Sequence, residues 1–213
     1  MQSVVLVDYG AGNIPSATRA LEVAVERSEK PCQLIVTNDP DAVAKADRIV
    51  IPGVGHFRDC REGIYGVDGL INALQDRIIK QGVPALGICV GMQLMADIGL
   101  EDGETKGLGW ISGNVARIPD TKGLPVPHMG WNELTLCSDH PVMSGISNGH
   151  HAYFVHSYHF SCEDPAHLMM QTDYGSPITA AVGRANLFGT QFHPELSQET
   201  GLKLLTNWIG WTP

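Results

Sequence analysis

The chain is short of positive charge. Fourteen Lys and Arg stand against 23 Asp and Glu, a formal net charge of −9. Nucleic acid and anionic membrane surfaces are recognised through basic patches, so neither is expected as a primary partner. Long apolar runs are also missing, and nothing approaches the roughly 20 residues that cross a bilayer. Met1-Gln2-Ser3 has no basic flank, and the run Val4-Val5-Leu6-Val7 stops at Asp8, so the start does not read as a secretory leader. Cysteines are few and scattered, at 32, 60, 89, 137 and 162. An odd set at those spacings builds neither a disulfide framework nor a CxxC zinc site, and a reducing cytoplasm fits it. A length of 213 residues points to one domain, 1–213, with a core that needs no metal or disulfide staple.

What the chain has in excess is glycine: 24 residues, about 11% against an average near 7%. They show no collagen period and no low-complexity cluster. A globular domain uses so many either for tight turns or where backbone must approach something closely.

The first half alternates strand and helix signals. Val4–Val7 is a short β-branched run, as expected of a strand buried on both faces of a parallel sheet. It empties into Asp8-Tyr9-Gly10-Ala11-Gly12-Asn13. A helix follows, with Pro15 tolerated in its first turn and Ile14, Ala17, Leu21, Ala24 and Val25 at helical spacing. Cys32–Val36 and Arg48–Ile51 read as strands, separated by a short helix that Asn38-Asp39-Pro40 opens. Leu70, Leu74, Ile78 and Ile79 mark another helix, closed by Gly82. Pro84–Ile88 is the fourth strand, and Val90, Met92, Leu94, Met95 and Ile98 predict a helix after it. Beyond Gly107 the texture becomes β-rich, as in 110–115 and 152–155, before a last helix over Leu202–Ile209. The expected fold is α/β: a single-domain mixed, mostly parallel sheet flanked by helices, with a β-rich second half.

Gly87-Ile88-Cys89-Val90-Gly91 is the strongest local signal. A strand runs into a nucleophile flanked at ±2 by glycine, and a helix begins at once. This is the nucleophile-elbow arrangement with Cys in place of Ser. Such a turn lifts the side chain clear of the sheet, and a helix N-terminus favours a thiolate there. A small buried hydrophobe is the commoner fate of cysteine, but that role needs no paired glycines. Near the far end, Thr190-Gln191-Phe192-His193-Pro194-Glu195 follows a strand-like run. It supplies a base, His193, and an acid, Glu195, that can hold one ring nitrogen. Pro52-Gly53-Val54-Gly55 ends the third strand, at the sheet edge where ligands of open α/β folds bind. It offers an N–H, from Val54 or Gly55, to an oxyanion alongside that of Val90.

The set GICVGMQ, QFHPELS, PGVGHF, DYGAGN and PHMGWN resembles the class I (triad) glutamine amidotransferases, whose fold is flavodoxin-like. Within them it is similar to the glutaminase subunits that feed a cyclase in the histidine pathway. The match is collinear from Val7 to about Gly201. The resemblance implies that Cys89 attacks the side-chain amide of L-glutamine, forming a γ-glutamyl thioester, while His193 moves protons and Glu195 orients it. Gly53, Gln93, Glu101, His156, Ser157 and Tyr158 match glutamine-binding positions, Gln93 at the α-amino or carboxylate end. Asn13, Met129 and Trp131 match contacts to a (β/α)8-barrel cyclase subunit, and the pair is expected to be a heterodimer. No cofactor is implied. One departure stands out: Leu196 occupies the place after His-Pro-Glu where the family usually has Lys or Arg. Similar subunits also supply ammonia to sugar-amidating synthases, and a non-catalytic protein of this fold is a further alternative.

Two other motifs compete weakly. Gly10-x-Gly12 begins a dinucleotide fingerprint, but the third glycine position holds Pro15. His150, His151, His156 and His159 form a cluster in which, on one strand, no more than two converge, so no metal is expected.

Overall fold

The computed structural model describes residues 1–121 and 123–213. β1 (Gln2–Val7) leads into α1 (Ile14–Arg27), then β2 (Cys32–Thr37), α2 (Pro40–Val43) and β3 (Arg48–Ile51). α3 (Phe57–Gly66) and α4 (Leu70–Leu74, continued by a π-helical stretch Gln75–Lys80) return the chain to β4 (Ala85–Ile88) and α5 (Val90–Gln93). The second half is β-rich, as expected. It holds β5 (Ile98–Gly99), β6 (Thr105–Lys106), β7 (Gly113–Arg117), β8 (His128–Glu133), β9 (Thr135–Leu136), β10 (His151–His156) and β11 (Tyr158–Cys162). β12 (Leu168–Asp173), β13 (Pro177–Arg184), β14 (Leu187–Thr190) and α6 (Gln198–Gly210) complete it.

The main sheet has eight strands in the order β2-β1-β3-β4-β14-β13-β12-β9. Its first five are parallel and the rest antiparallel. Val4–Val7 of β1 and all of β3, β4 and β14 are buried, which is why these strands read as unbroken apolar runs. α1 packs beside α6, while α2 and α3 pack with α4. Right-handed crossovers put these two groups on opposite faces. In α1 the buried stripe is Ala17, Ala20, Leu21 and Ala24. Asn13 caps it through Ser16 N, and Pro15 lies harmlessly in the first turn. Two smaller sheets, β11-β7-β5-β6 and β10-β8, are added beyond the main one.

One expectation fails locally. The helix predicted through Ile98 is one turn long, and Ile98 opens β5. The carbonyls that a longer helix would use are taken by the glycine-rich loop after it. Leu108 N donates to Leu94 O, Trp110 and Ile111 N to Met95 O, and Gly109 N to Ala96 O. Gly107 lies so close to the Ala96 carbonyl that a Cβ could not fit. The clustered histidines do not share one strand. Ser157 divides β10 from β11, which lie in different sheets.

The topology gathers the chemistry. The loops after β1, β3, β4 and β14 all leave the same, C-terminal edge of the parallel strands, the edge where open α/β sheets bind ligands.

Candidate active site

Cys89 sits between β4 and α5 with φ 53° and ψ −112°. This is strained backbone for a side-chain-bearing residue, costing of order 1–3 kcal/mol. The surroundings enforce it. A Cβ on Gly87 would lie 2.6 Å from Met92 N, and one on Gly91 would strike the Ile51 carbonyl. Cys89 N also donates to Thr190 O at 2.7 Å. The elbow glycines therefore serve close approach, as their spacing predicted. The one-turn α5 weakens the dipole argument for a thiolate, because few peptides align behind the sulfur. Stabilisation must come from particular donors.

His193 supplies the first. Its Nδ1 lies 2.7 Å from Glu195 Oε1, and both side chains are almost fully buried. Nε2 makes no hydrogen bond among the described residues, which leaves it free to serve the sulfur. Burial alone would lower the imidazole pKa, but the interactions with Cys89 and Glu195 outweigh it and push His193 up to about 10. Two backbone bonds fix the ring's approach: His193 N donates to Tyr153 O at 3.0 Å, and Ser197 Oγ donates to His193 O at 2.6 Å. Ser197 Oγ accepts in turn from Tyr153 N at 2.9 Å.

A cavity of about 280 Å³ opens onto Cys89 and His193. Asn13, Val54, Gly55, Val90, Gln93, Glu101, His156, Tyr158 and Leu196 from the sequence-derived set line it, joined by Val155. Gly53, Ser157 and Glu195 do not line it, and Met129 and Trp131 lie outside it on β8. Gln93 is buried, and its Nε2 donates both to Tyr158 O at 2.9 Å and to Gln191 Oε1 at 3.0 Å. With both amide hydrogens committed, Gln93 has only its oxygen to offer a ligand. Glu101 Oε2 accepts from Phe57 N at 2.8 Å, tying the rim to α3.

The Pro52–Gly55 strip is held differently. Val90 N donates to Gly53 O at 3.2 Å, so that N–H is occupied. From behind, Tyr9 Oη donates to Pro52 O, and Cys60 Sγ donates to Val54 O at 3.3 Å. Burial raises the pKa of both donors, Cys60 to about 11, and they stay protonated. The carbonyls on either side are thus clamped by side chains, while the Gly53–Val54 peptide between them is not.

Sequence reasoning missed Gln191, His128, Tyr9 and Cys60 as contributors. Gln191 Nε2 lies 3.6 Å from Cys89 Sγ. His128 Nδ1 meets His156 Nε2 at 3.1 Å, and His156 Nδ1 donates to Tyr158 O at 2.8 Å. Tyr9 and Cys60 form the clamp just described. Only QFHPE hinted at Gln191, by adjacency to the base. Around the cavity mouth, Val54, Met129, Trp131 and Leu196 expose 41%, 62%, 47% and 38% of their surface. In β8 the period-two alternation turns Met129 and Trp131 outward and His128 inward.

Comparison with known proteins agrees with this geometry. Residues 5–210 match the family model "Glutamine amidotransferase class-I". The curated relatives include "Imidazole glycerol phosphate synthase subunit HisH" of Rhodospirillum rubrum, 50% identical over 99% of both chains. The protein of the same name from Cereibacter sphaeroides is 51% identical over 98% of this chain and 99% of its own. Among solved structures, a glutamine amidotransferase superposes with a TM-score of 0.70 at 16% identity, covering 97% and 99% of the two chains. A second, from Thermotoga maritima, gives 0.61 at 18% identity over 93% and 78%. With nearly its whole length matched, this chain belongs to the class I glutamine amidotransferase family.

Proposed function

We propose that this chain is the glutaminase subunit of an imidazole glycerol phosphate synthase, releasing ammonia from L-glutamine for a cyclase partner in histidine biosynthesis. The observation that carries the reading is the strained Cys89 facing the buried His193–Glu195 pair, within a chain alike over its full length to relatives of that name.

The Cys89 thiol proton passes to His193 Nε2, and the sulfur attacks the side-chain carbonyl carbon of glutamine. A C–S bond forms and charge moves to the carbonyl oxygen. Collapse breaks the C–N bond, and the His193 proton leaves with ammonia. Water then attacks the thioester, giving one proton to His193, and the C–S bond breaks to release glutamate. Glu195 keeps the imidazole oriented and offsets its charge throughout. Because Gln93 presents only an acceptor, it holds the α-ammonium of glutamine rather than the carboxylate.

The oxyanion requires a change in the strip. Turning the Gly53–Val54 peptide moves the Gly53 carbonyl off Val90 N–H and aims Val54 N–H at the same place. One flip supplies both donors, and it favours Val54 over Gly55. The Tyr9 and Cys60 clamps confine the movement to that peptide. Docking of the partner drives the flip, so ammonia is released only where it is used.

The exposed apolar residues around the cavity mouth form the docking face, with a (β/α)8-barrel cyclase completing a heterodimer. Leu196 on that face, where the family usually has Lys or Arg, calls for an apolar partner residue. Five unpaired cysteines accord with a reducing cytoplasm, and no described helix is long and apolar enough to cross a membrane.

The test is Cys89→Ala in the two-subunit complex. Glutamine-dependent synthesis should fall by at least about 10⁴-fold, as for loss of other nucleophiles. Synthesis from added ammonium should persist. Loss of both activities, or survival of the first, would refute the role division.

A further inference from the structure

The nucleophile has a second neighbour that the triad does not use. Gln191 stands one residue beyond β14 and is fully buried, with its Nε2 3.6 Å from Cys89 Sγ. Its orientation follows from the bonds around it. Gln93 Nε2 donates to Gln191 Oε1 at 3.0 Å and spends its other hydrogen on Tyr158 O at 2.9 Å. Gln93 N–H therefore meets the carbonyl end of the Gln191 amide, and the NH2 end is the one turned to the sulfur. A thiol accepts such a bond weakly; a thiolate accepts it with charge assistance. The short α5 adds little dipole at this place, so a directed N–H matters more.

We propose that Gln191 is a further catalytic residue of the glutaminase, donating its side-chain N–H to the Cys89 sulfur whenever that sulfur carries negative charge. The role rests on the glutaminase reading and acts at two points. Before attack, the donor holds the thiolate formed when the thiol proton moves to His193. During attack the sulfur electron pair enters the C–S bond and the donor loses its charged acceptor. When the hydrated thioester collapses, the pair returns to sulfur, and Gln191 stabilises the departing thiolate. Deacylation gains from the residue, and Gln93 acts through it as a positioning residue.

The test reads the thiol directly, in the purified full chain, by following iodoacetamide alkylation of the Cys89 peptide across pH by mass spectrometry. Ionisable neighbours named for that profile are His193 with Glu195 behind it, Tyr9, Cys60, His156 and Glu101. All are unchanged by the variants. Gln191→Met keeps the volume without the donor; Gln191→Glu keeps the acceptor for Gln93 and sets an oxygen against the sulfur. Each should shift the alkylation midpoint upward, lowering the rate at neutral pH about tenfold while the alkaline plateau is retained. In the complex, γ-glutamyl thioester should accumulate in Gln191→Met under acid quench. If either variant does not fold, Gln93→Leu, which frees the Gln191 amide to turn, should move the midpoint in the same direction by a smaller amount. Folded variants with the parent's midpoint and no thioester build-up would overturn the proposal and leave Gln191 as filling. A normal midpoint shift with no glutamine turnover by the parent complex would instead remove the glutaminase reading.

Discussion

The two walls that flank Cys89 are built on opposite plans. On the β14 side, Gln93, Gln191, His193 and Ser197 are buried and bonded to one another or to backbone. On the β3 side, the strip Pro52–Gly55 carries a half-exposed Val54 and a peptide whose carbonyl blocks the N–H it would need to spare. Under the proposed glutaminase reading, the first wall holds the nucleophile ready and the second withholds the oxyanion hole. Preorganised attack and conditional stabilisation are thus divided between adjacent loops of one sheet edge.

The largest effect should come from completing the second wall. Removing a single oxyanion donor costs an enzyme about 10²–10³ in kcat. The isolated chain, with both donors misplaced, should therefore hydrolyse glutamine at least about 10²-fold more slowly than the complex charged with its cyclase substrate. Tyr9→Phe unclamps the Pro52 carbonyl and should narrow that ratio several-fold by letting the strip wander in both states. A steady-state glutaminase assay on four samples, parent and variant with and without partner, measures both. Equal activity of the free chain and the complex would erase the distinction between the walls.

How far these features were legible depends on their range. Gly87 and Gly91 announce themselves because a nucleophile elbow is local, and His193 and Glu195 because they adjoin within one turn. The parallel strands show as unbroken apolar runs, since both their faces are covered. Adjacency to His193 was the one hint at Gln191, because its meaning lies in the β14–β4 register and in which end of an amide Gln93 engages. His128 and His156 come from strands paired across 28 residues. The shortened α5 escaped because its carbonyls are taken by a loop more than ten residues on, while helical spacing persisted in the apolar pattern.

A smaller effect tests the outer rim of the same comparison. Trp131 lies on the outward face of β8 and packs edge-on against Tyr153, with ring centroids 5.9 Å apart. Tyr153 O in turn accepts from His193 N. An aromatic anchor at the centre of an interface is worth about 2 kcal/mol or more, so Trp131→Ala should weaken the heterodimer about 30-fold. Calorimetric titration of the cyclase subunit into each protein would read this. Undiminished affinity would move the docking face elsewhere, while the triad chemistry would stand.

The smallest effect concerns stability and separates His128 and His156 from His193. Burial lowers His128 to about 4 and His156 to about 3, whereas the partners of His193 raise it to about 10. The unfolded chain titrates all three near 6.5. Neutral His128 and His156 therefore contribute stability that is complete above about pH 6.5 and lost as the pH falls toward 4, because the unfolded state then binds more protons. His193 behaves oppositely: its contribution is complete below about 6.5 and lost as the pH rises toward 10. Between pH 6.5 and 5 only the buried pair among these three is acting, with a slope of at most about 1.4 kcal/mol per pH unit for each ring. His128→Gln, which keeps an N–H for His156 Nε2, should flatten that slope by about 1 kcal/mol per unit in urea unfolding. Parallel curves for parent and variant would mean that the His128–His156 pair is not the acid-sensitive element. Acid would then act on the wall by another route, through the carboxylates or through His159.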